Sequence, residues 1–188
     1  MTGLTMMTIG HSTLPLEIFL RALKENACRL LVDVRRYPGS RRYPHFGQKE
    51  LFASLENEGI TAVWREGLGG RRPAQKNSIN LGWRNESFRG YADYMQTQEF
   101  ADHIDWLMGQ PQLDNAVIMC AEAVPWRCHR SLIGDAVLAR KGVVEDIFVQ
   151  PDGGSSRKAH SLTPFARVEG GRLFYPPEQP WMSFRENA

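Results

Sequence analysis

Apolar residues along the chain fall into two kinds of run that alternate. The first kind is short and nearly continuous: Thr5-Met6-Met7-Thr8-Ile9, Arg29-Leu30-Leu31-Val32-Asp33-Val34, Ile60–Trp64, Ala116-Val117-Ile118-Met119 and Val143–Val149. Runs of this length, rich in branched residues, predict strands covered on both faces. The second kind recurs at threes and fours and predicts helices with one buried face. Leu16, Phe19, Leu20 and Leu23 follow Thr13, a potential N-cap, and Pro15, suited to a first helical turn. Leu51, Phe52 and Leu55 lie within a helix expected over Gln48–Glu58, with Gly59 at its C-terminal end. Phe88–Met108 predicts one long helix with an irregularity near Thr97, and Ser131–Gly142 predicts a last helix closed by its glycine.

Strands alternating with helices predict an α/β fold: three layers, a mainly parallel sheet of about five strands with helices on both faces, and a C-terminal hairpin or extended tail. Residues 1–150 make up the α/β domain, and residues 151–188 a linker, hairpin and extended tail packed on it. Ala74–Glu86 is weakly patterned and reads as loop. Pro151–His160, with Gly153-Gly154-Ser155-Ser156, reads as a flexible connection. Phe165–Val168 and Arg172–Tyr175 flank Glu169-Gly170-Gly171, a hairpin signal, and Pro176, Pro177 and Pro180 predict an extended end.

A chain of 188 residues favours one domain large enough to need no staples. No apolar run is long enough to span a bilayer, and the first residues lack the basic start and apolar core of a signal peptide. Three cysteines do not make a disulfide framework, so the expected compartment is the cytoplasm, with no membrane partner. The net charge is only +2, yet between Arg35 and Arg89 nine Arg and two Lys face five Glu. Such a basic block either attracts phosphate or nucleic acid or is a solvated surface. Tyr37, Tyr43, Trp64, Trp83, Phe88 and Tyr91 are interleaved with it, as base-stacking platforms or as packing.

In an open parallel sheet, ligands bind beyond the carboxyl ends of the strands. Those ends carry His11 and Ser12, then Asp33 with Arg35 and Arg36, then Glu66 with Gly69 and Gly70, then Cys120, Glu122, Cys128, His129 and Arg130. Asp33 stands in an apolar run, where a carboxylate needs a partner; it is a candidate acid or base, or an orienter of Arg35, which shares its strand face. Glu122 is the second candidate carboxylate. His11 is a base, a ligand or a buried histidine, and His129 can assist proton transfer. Cys128, at a helix start beside His129 and Arg130, is a candidate nucleophile. The spacing does not fit a phosphatase loop of Cys, five residues and Arg, because the sixth position after Cys120 is Trp126. Metal ligation by Cys120, Cys128, His129 and His11 is a second idea, but C-x7-C-H is not a recognised zinc pattern, so neither a metal nor a cofactor is expected. Ser12, Arg35, Arg36, Cys120 and Arg130 are candidate substrate contacts, and Gly69-Gly70 would let backbone approach a ligand.

Together these pieces resemble a bacterial family known as domain of unknown function 488. The likeness is carried by TIGHS at Thr8–Ser12, DVRRYPGS at Asp33–Ser40, the Phe46…Leu51…Leu55…Gly59-Ile60 pattern, LGG at Leu68–Gly70, FRGYADYM at Phe88–Met95 and MCAE…CHR at Met119–Arg130. The tail from Leu162 to Pro176 is similar to that of longer family members. The resemblance implies a compact α/β domain and brings no settled activity. From the residues, the leading expectation is an enzyme acting on a phosphate-bearing small molecule or nucleic acid by hydrolysis. The alternatives are thiol chemistry at Cys128 and a non-catalytic nucleic-acid-binding module. The oligomeric state is not legible.

Overall fold

A computed structural model describes residues 5–150 and 152–177. The five apolar runs become β1 (Thr5–Gly10), β2 (Leu30–Asp33), β3 (Thr61–Trp64), β4 (Ala116–Cys120) and β5 (Val143–Val149), all parallel. A sixth strand, β6 (Ser155–Ala159), joins antiparallel, giving the order β3-β2-β4-β1-β5-β6. Helices α1 (Leu16–Glu25) and α2 (Gln48–Asn57) cover one face. There Phe19, Leu23, Leu51 and Leu55 pack on Met7, Ile9, Leu31, Val117 and Met119. Helices α3 (Glu86–Tyr94), α4 (Gln98–Met108) and α5 (Arg130–Ala139) cover the other. On that face Tyr91, Ile104, Leu107, Leu132 and Ile133 meet Met6, Val32, Ile118 and Val144. Chain connections leave β1 toward β3 and leave β4 toward β5, so the order reverses at the neighbouring β1 and β4. That reversal opens a crevice at the carboxyl ends of these two strands.

Four local expectations change. Helix α1 begins at Leu16, with Pro15 at its N-cap position and no side-chain cap; Thr13 lies outside it, because Leu14 N–H already bonds the His11 carbonyl in a tight turn. The expected long helix is two. Thr97 Oγ1 donates to the Tyr94 carbonyl (2.7 Å) and accepts from Phe100 N–H (3.2 Å), ending α3 and capping α4. The connection expected to be flexible contains β6. Gln150 N–H bonds the Gly154 carbonyl (2.7 Å) around Gly153, whose φ is 88°, and the strand pairs through backbone although its side chains show no apolar alternation. The boundary expected at residue 150 thus falls in a hairpin, and the sheet continues past it.

Beyond β6, strands β7 (Arg167–Glu169) and β8 (Arg172–Phe174) form the expected hairpin, with Gly170 and Gly171 at positive φ. Pro176 and Pro177 are in no regular element, and Pro180 lies outside the described residues. The irregular stretch before α3 is ordered by buried Asp93, which accepts from Gln75 N–H, Ser78 Oγ and Asn80 Nδ2. Asn80 in turn accepts from Tyr175 N–H (2.9 Å), fastening the tail. No described helix is long and apolar enough to cross a membrane.

A buried polar network ties α5, β1, β5 and the tail. His160 lies between Asp146 (2.8 Å) and Asp135 (3.3 Å); Tyr175 Oη donates to Asp135 (2.8 Å) and Thr8 Oγ1 to Asp146 (2.6 Å). Burial works against a charge on His160, but hydrogen bonds and attraction from the two carboxylates prevail, raising its pKa from 6.5 to about 9. A histidine raised on folding stabilises the fold fully below its unfolded pKa and loses that contribution as pH rises through the folded value. Stability measured by urea denaturation is therefore expected to fall between pH 6.5 and about pH 9, by on the order of 3 kcal/mol. His160→Gln should flatten that slope; an unchanged slope would assign it to other groups.

Candidate functional site

The crevice takes shape because β1 and β4 continue to pair beyond their last ladder residues. His11 N–H bonds the Cys120 carbonyl (3.0 Å) and Ser12 N–H the Ala121 carbonyl (2.9 Å). Ser12 then turns away in the left-handed region at φ 45°. Gly10 must be glycine here: a Cβ would lie 1.8 Å from the Glu122 carbonyl oxygen and 2.7 Å from Arg130 Nη1. Through that gap Arg130 reaches from the first turn of α5. It is fully buried and donates from Nη1 to the Glu122 carbonyl (2.6 Å) and from Nη2 to the Ala123 carbonyl (3.0 Å). Its Nε has no partner among the described residues. Arg130 thus holds the β4–α5 loop from behind and does not reach the cleft as a clamp.

Asp33, at the end of β2, is also sealed away. Its carboxylate accepts from Arg35 Nε (2.9 Å), Nη2 (2.6 Å) and backbone N–H (3.0 Å). Burial pushes the Asp33 carboxyl above its usual value, and these bonds to Arg35 oppose the shift. Arg35 Nη1 donates to the Phe46 carbonyl (2.7 Å) and lies 3.4 Å from His11 Nε2. Four of the five guanidinium hydrogens are thereby engaged, leaving one on Nη2. His11 Nδ1 faces the Ser12 carbonyl (3.0 Å), so that nitrogen carries the proton and Nε2 accepts from Arg35. The His11 ring stacks on Phe46 at 4.1 Å. Burial, then the neighbouring Arg35, lowers its pKa to about 4, so His11 is neutral at physiological pH.

Cys120, Cys128 and His129 form a cluster of two thiols and an imidazole. Their sulfur and ring nitrogen atoms all lie within 4.8 Å of one another. His129 Nε2 lies 3.0 Å from the Val34 carbonyl oxygen, which can only accept, so Nε2 carries the proton. Nδ1, left as an acceptor, lies 3.7 Å from Cys128 Sγ and 4.0 Å from Cys120 Sγ. The ring packs on Tyr91 at 5.0 Å, and Tyr91 is itself fixed by its hydroxyl on the Leu68 carbonyl (2.8 Å). The hydrogen bond from Cys128 holds Cys120 well below the usual thiol range; burial opposes this, and His129 and Arg130 reinforce it. The same bond, with burial, pushes Cys128 well above that range.

This cluster opens onto a cleft of about 350 Å³ lined also by Arg35, Arg36, Tyr37, Gly70, Arg71, Glu122 and Arg127. A second hollow, of about 460 Å³, adjoins it across Arg35, Tyr37, Glu122 and Arg127 and is bordered by His11 and Ser12. Of the expected site residues, Arg35, Arg36, Gly70, Cys120, Glu122, Cys128 and His129 line the cleft, His11 and Ser12 border the second hollow, and Asp33, Gly69 and Arg130 line neither. Gly69 serves packing: a Cβ there would lie 2.9 Å from Arg36 Cα. Arg71 and Arg127 were not singled out from the sequence. Arg127 ends the short turn Pro125–Arg127, and its signal was its place between a strand end and a helix start. Among the described residues no carboxylate pairs with Arg36, Arg71 or Arg127, and Glu122 is the one carboxylate lining the cleft.

Comparison with protein families matches residues 15–137, nearly two thirds of the chain, to a family described as Domain of unknown function DUF488. The match runs from α1 into α5 and includes Asp33–Arg36 and Cys120–Arg130. No curated protein and no solved structure matches the chain.

The loop-holding role of Arg130 has a measurable consequence. Arg130→Met removes a buried guanidinium and the donors of the Glu122 and Ala123 carbonyls, and is expected to cost about 3 kcal/mol in urea denaturation. Arg127→Ala, at an exposed position, should stay within about 0.5 kcal/mol. Equal stability of the two variants would refute the buried role.

Proposed function

The chain belongs to the DUF488 family, and we propose that it is an enzyme acting on a phosphate-bearing substrate, a nucleotide or nucleic acid, by hydrolytic acid–base chemistry in the cleft at the strand ends. The observation that carries this reading is a charge imbalance at one place. Arg36, Arg71 and Arg127 border a single cleft without a carboxylate partner among the described residues, beside the reactive Cys120–Cys128–His129 cluster. A phosphate group supplies the missing countercharge and suits the planar, multi-donor guanidinium. Tyr37 is 64% exposed, with Arg71 over its ring at 5.7 Å, and offers a face on which a base stacks.

Within this reading the roles follow from position. Arg36, Arg71 and Arg127 hold the anion, and Arg35 adds its one remaining donor. Asp33 and His11 keep Arg35 in place and do not touch the substrate. Glu122, exposed at the cleft wall, is the carboxylate that takes a proton from the attacking water. The three free cysteines suit the reducing cytoplasm. A thiol mechanism at Cys128 has less support, since this residue is 2% exposed and its thiol is pushed up by its bond to Cys120 and by burial.

Binding of labelled nucleotides and oligonucleotides is expected to weaken with salt, and Arg71→Ala and Arg127→Ala should each reduce affinity about 5–10-fold and flatten the salt slope. Glu122→Gln should leave binding intact and lower turnover by about 100-fold or more. Salt-sensitive binding with no turnover of any nucleotide or nucleic acid by the unaltered chain would make it a binding module instead. Loss of turnover on blocking a cysteine, with Glu122→Gln fully active, would transfer the chemistry to the thiols.

A further inference from the structure

We propose that Cys120, Cys128 and His129 bind a zinc ion at the wall of the cleft, with the fourth coordination position open to substrate or water. The proposal deepens the hydrolytic reading above and rests on it for the ion's role, but not for the ion's binding. Two sulfurs and one imidazole nitrogen form a soft, mixed donor set of the kind that selects zinc over the harder divalent cations.

The spacing fits. A tetrahedral zinc with ordinary bond lengths holds a thiolate sulfur and an imidazole nitrogen about 3.6 Å apart. The observed separations from His129 Nδ1 are 3.7 Å to Cys128 Sγ and 4.0 Å to Cys120 Sγ, with the three donors within 4.8 Å of one another. Each sulfur–nitrogen separation is therefore within a few tenths of an ångström of the tetrahedral figure.

The histidine is already in the ligating tautomer. Its Nε2–H is committed to the Val34 carbonyl (3.0 Å), which leaves the Nδ1 lone pair directed at the sulfurs. Histidine ligands of metals carry this arrangement: one ring nitrogen on the ion and the other donating to an acceptor that fixes the ring. Tyr91 packs on the ring from the core. Gly70 packs closely against the same ring, so a side chain there would press on Nδ1. A Cβ at residue 70 would lie 2.9 Å from Nδ1 and 3.2 Å from Cγ of His129, although nothing in the backbone demands glycine there, since Gly70 is not among the positive-φ residues.

All three donors line the cleft, as do Glu122 and Arg127. No fourth His, Cys, Asp or Glu joins the cluster among the described residues, and His11 is committed to Ser12 and Arg35. Three protein ligands and one open position are the arrangement of catalytic rather than structural zinc. Bound there, the ion would lower the pKa of a water beside Glu122 and polarise a phosphoryl or carbonyl oxygen held by the arginines. The C-x7-C-H spacing matches no zinc knuckle because the donors are brought together by a strand end and a helix start.

The test is metal content and cobalt substitution in the full chain. Protein dialysed against metal-free buffer should retain one zinc per chain. After chelation, cobalt should give the visible bands of a tetrahedral site and a near-ultraviolet thiolate-to-cobalt band. Cys120→Ser and Cys128→Ser should each weaken zinc binding by more than the roughly 10–100-fold that loss of an outer-shell partner costs. Cys28→Ser should not change it, because Cys28 Sγ is buried on the Leu30 carbonyl. Should a ligand variant fail to fold, Gly70→Ala alters no ligand and is expected to weaken binding by crowding Nδ1. A chain that is folded by circular dichroism but retains no zinc and shows no cobalt bands overturns the proposal, as does a Cys120–Cys128 disulfide under reducing conditions. Zinc retained without salt-sensitive nucleotide binding would sink the substrate reading and leave the metal site standing. The converse result would do the reverse.

Discussion

A fully buried guanidinium with no carboxylate partner among the described residues is the constraint on which the cleft depends. Taking an arginine out of water is costly unless its donors are met, and Arg130 meets that cost with two main-chain carbonyls of the very loop that forms the cleft wall. The arrangement is possible only because β1 ends in a residue without a side chain, which lets the loop and the guanidinium pass against its backbone. Glu122 and the residues after it are therefore fixed through their peptide groups, leaving the Glu122 side chain free to face solvent. The same cation adds, after Cys128 and His129, to the pull that lowers the Cys120 thiol.

The remaining groups of the site are oriented by the same device, a polar side chain committed to backbone. Arg35 spends a donor on the Phe46 carbonyl, His11 on the Ser12 carbonyl and His129 on the Val34 carbonyl. The Ser12 and Val34 carbonyls lie just past strand ends and the Phe46 carbonyl at the end of a short turn, so none has a ladder partner. The result is a sharp division. Asp33, His11 and Arg130 form a rigid layer beneath the surface. Arg36, Arg71, Arg127 and Glu122 form a surface layer without ion-pair partners among the described residues.

The layered α/β architecture was legible because buried parallel strands and one-sided helices leave different apolar periods in the chain. What escaped has local causes. Thr97 splits the predicted long helix with one hydroxyl, and a run of threes and fours continues across such a break without interruption. Strand β6 covers no core on either face, so its sequence carries no period to read. At the carboxyl ends of the strands, most of the residues the strand-end rule names do come together around one cleft and the hollow beside it. The rule could not tell which polar groups face the cleft. Asp33 and Arg130 have the composition of catalytic residues and the positions of internal struts; Arg71 and Arg127 look like ordinary surface charge and border the cavity.

Strand β6 has one more implication. It is held by main-chain pairing with β5, and four of its five side chains are exposed, among them Arg157 and Lys158. An open sheet ends in a row of unmet amides and carbonyls that invites another chain to extend it. Closing this side with a short, cationic strand presents any incoming segment with like charge or a solvated lysine instead of an apolar ridge. A hairpin that contributes little to the hydrophobic interior thus covers this border of the sheet with polar and charged side chains.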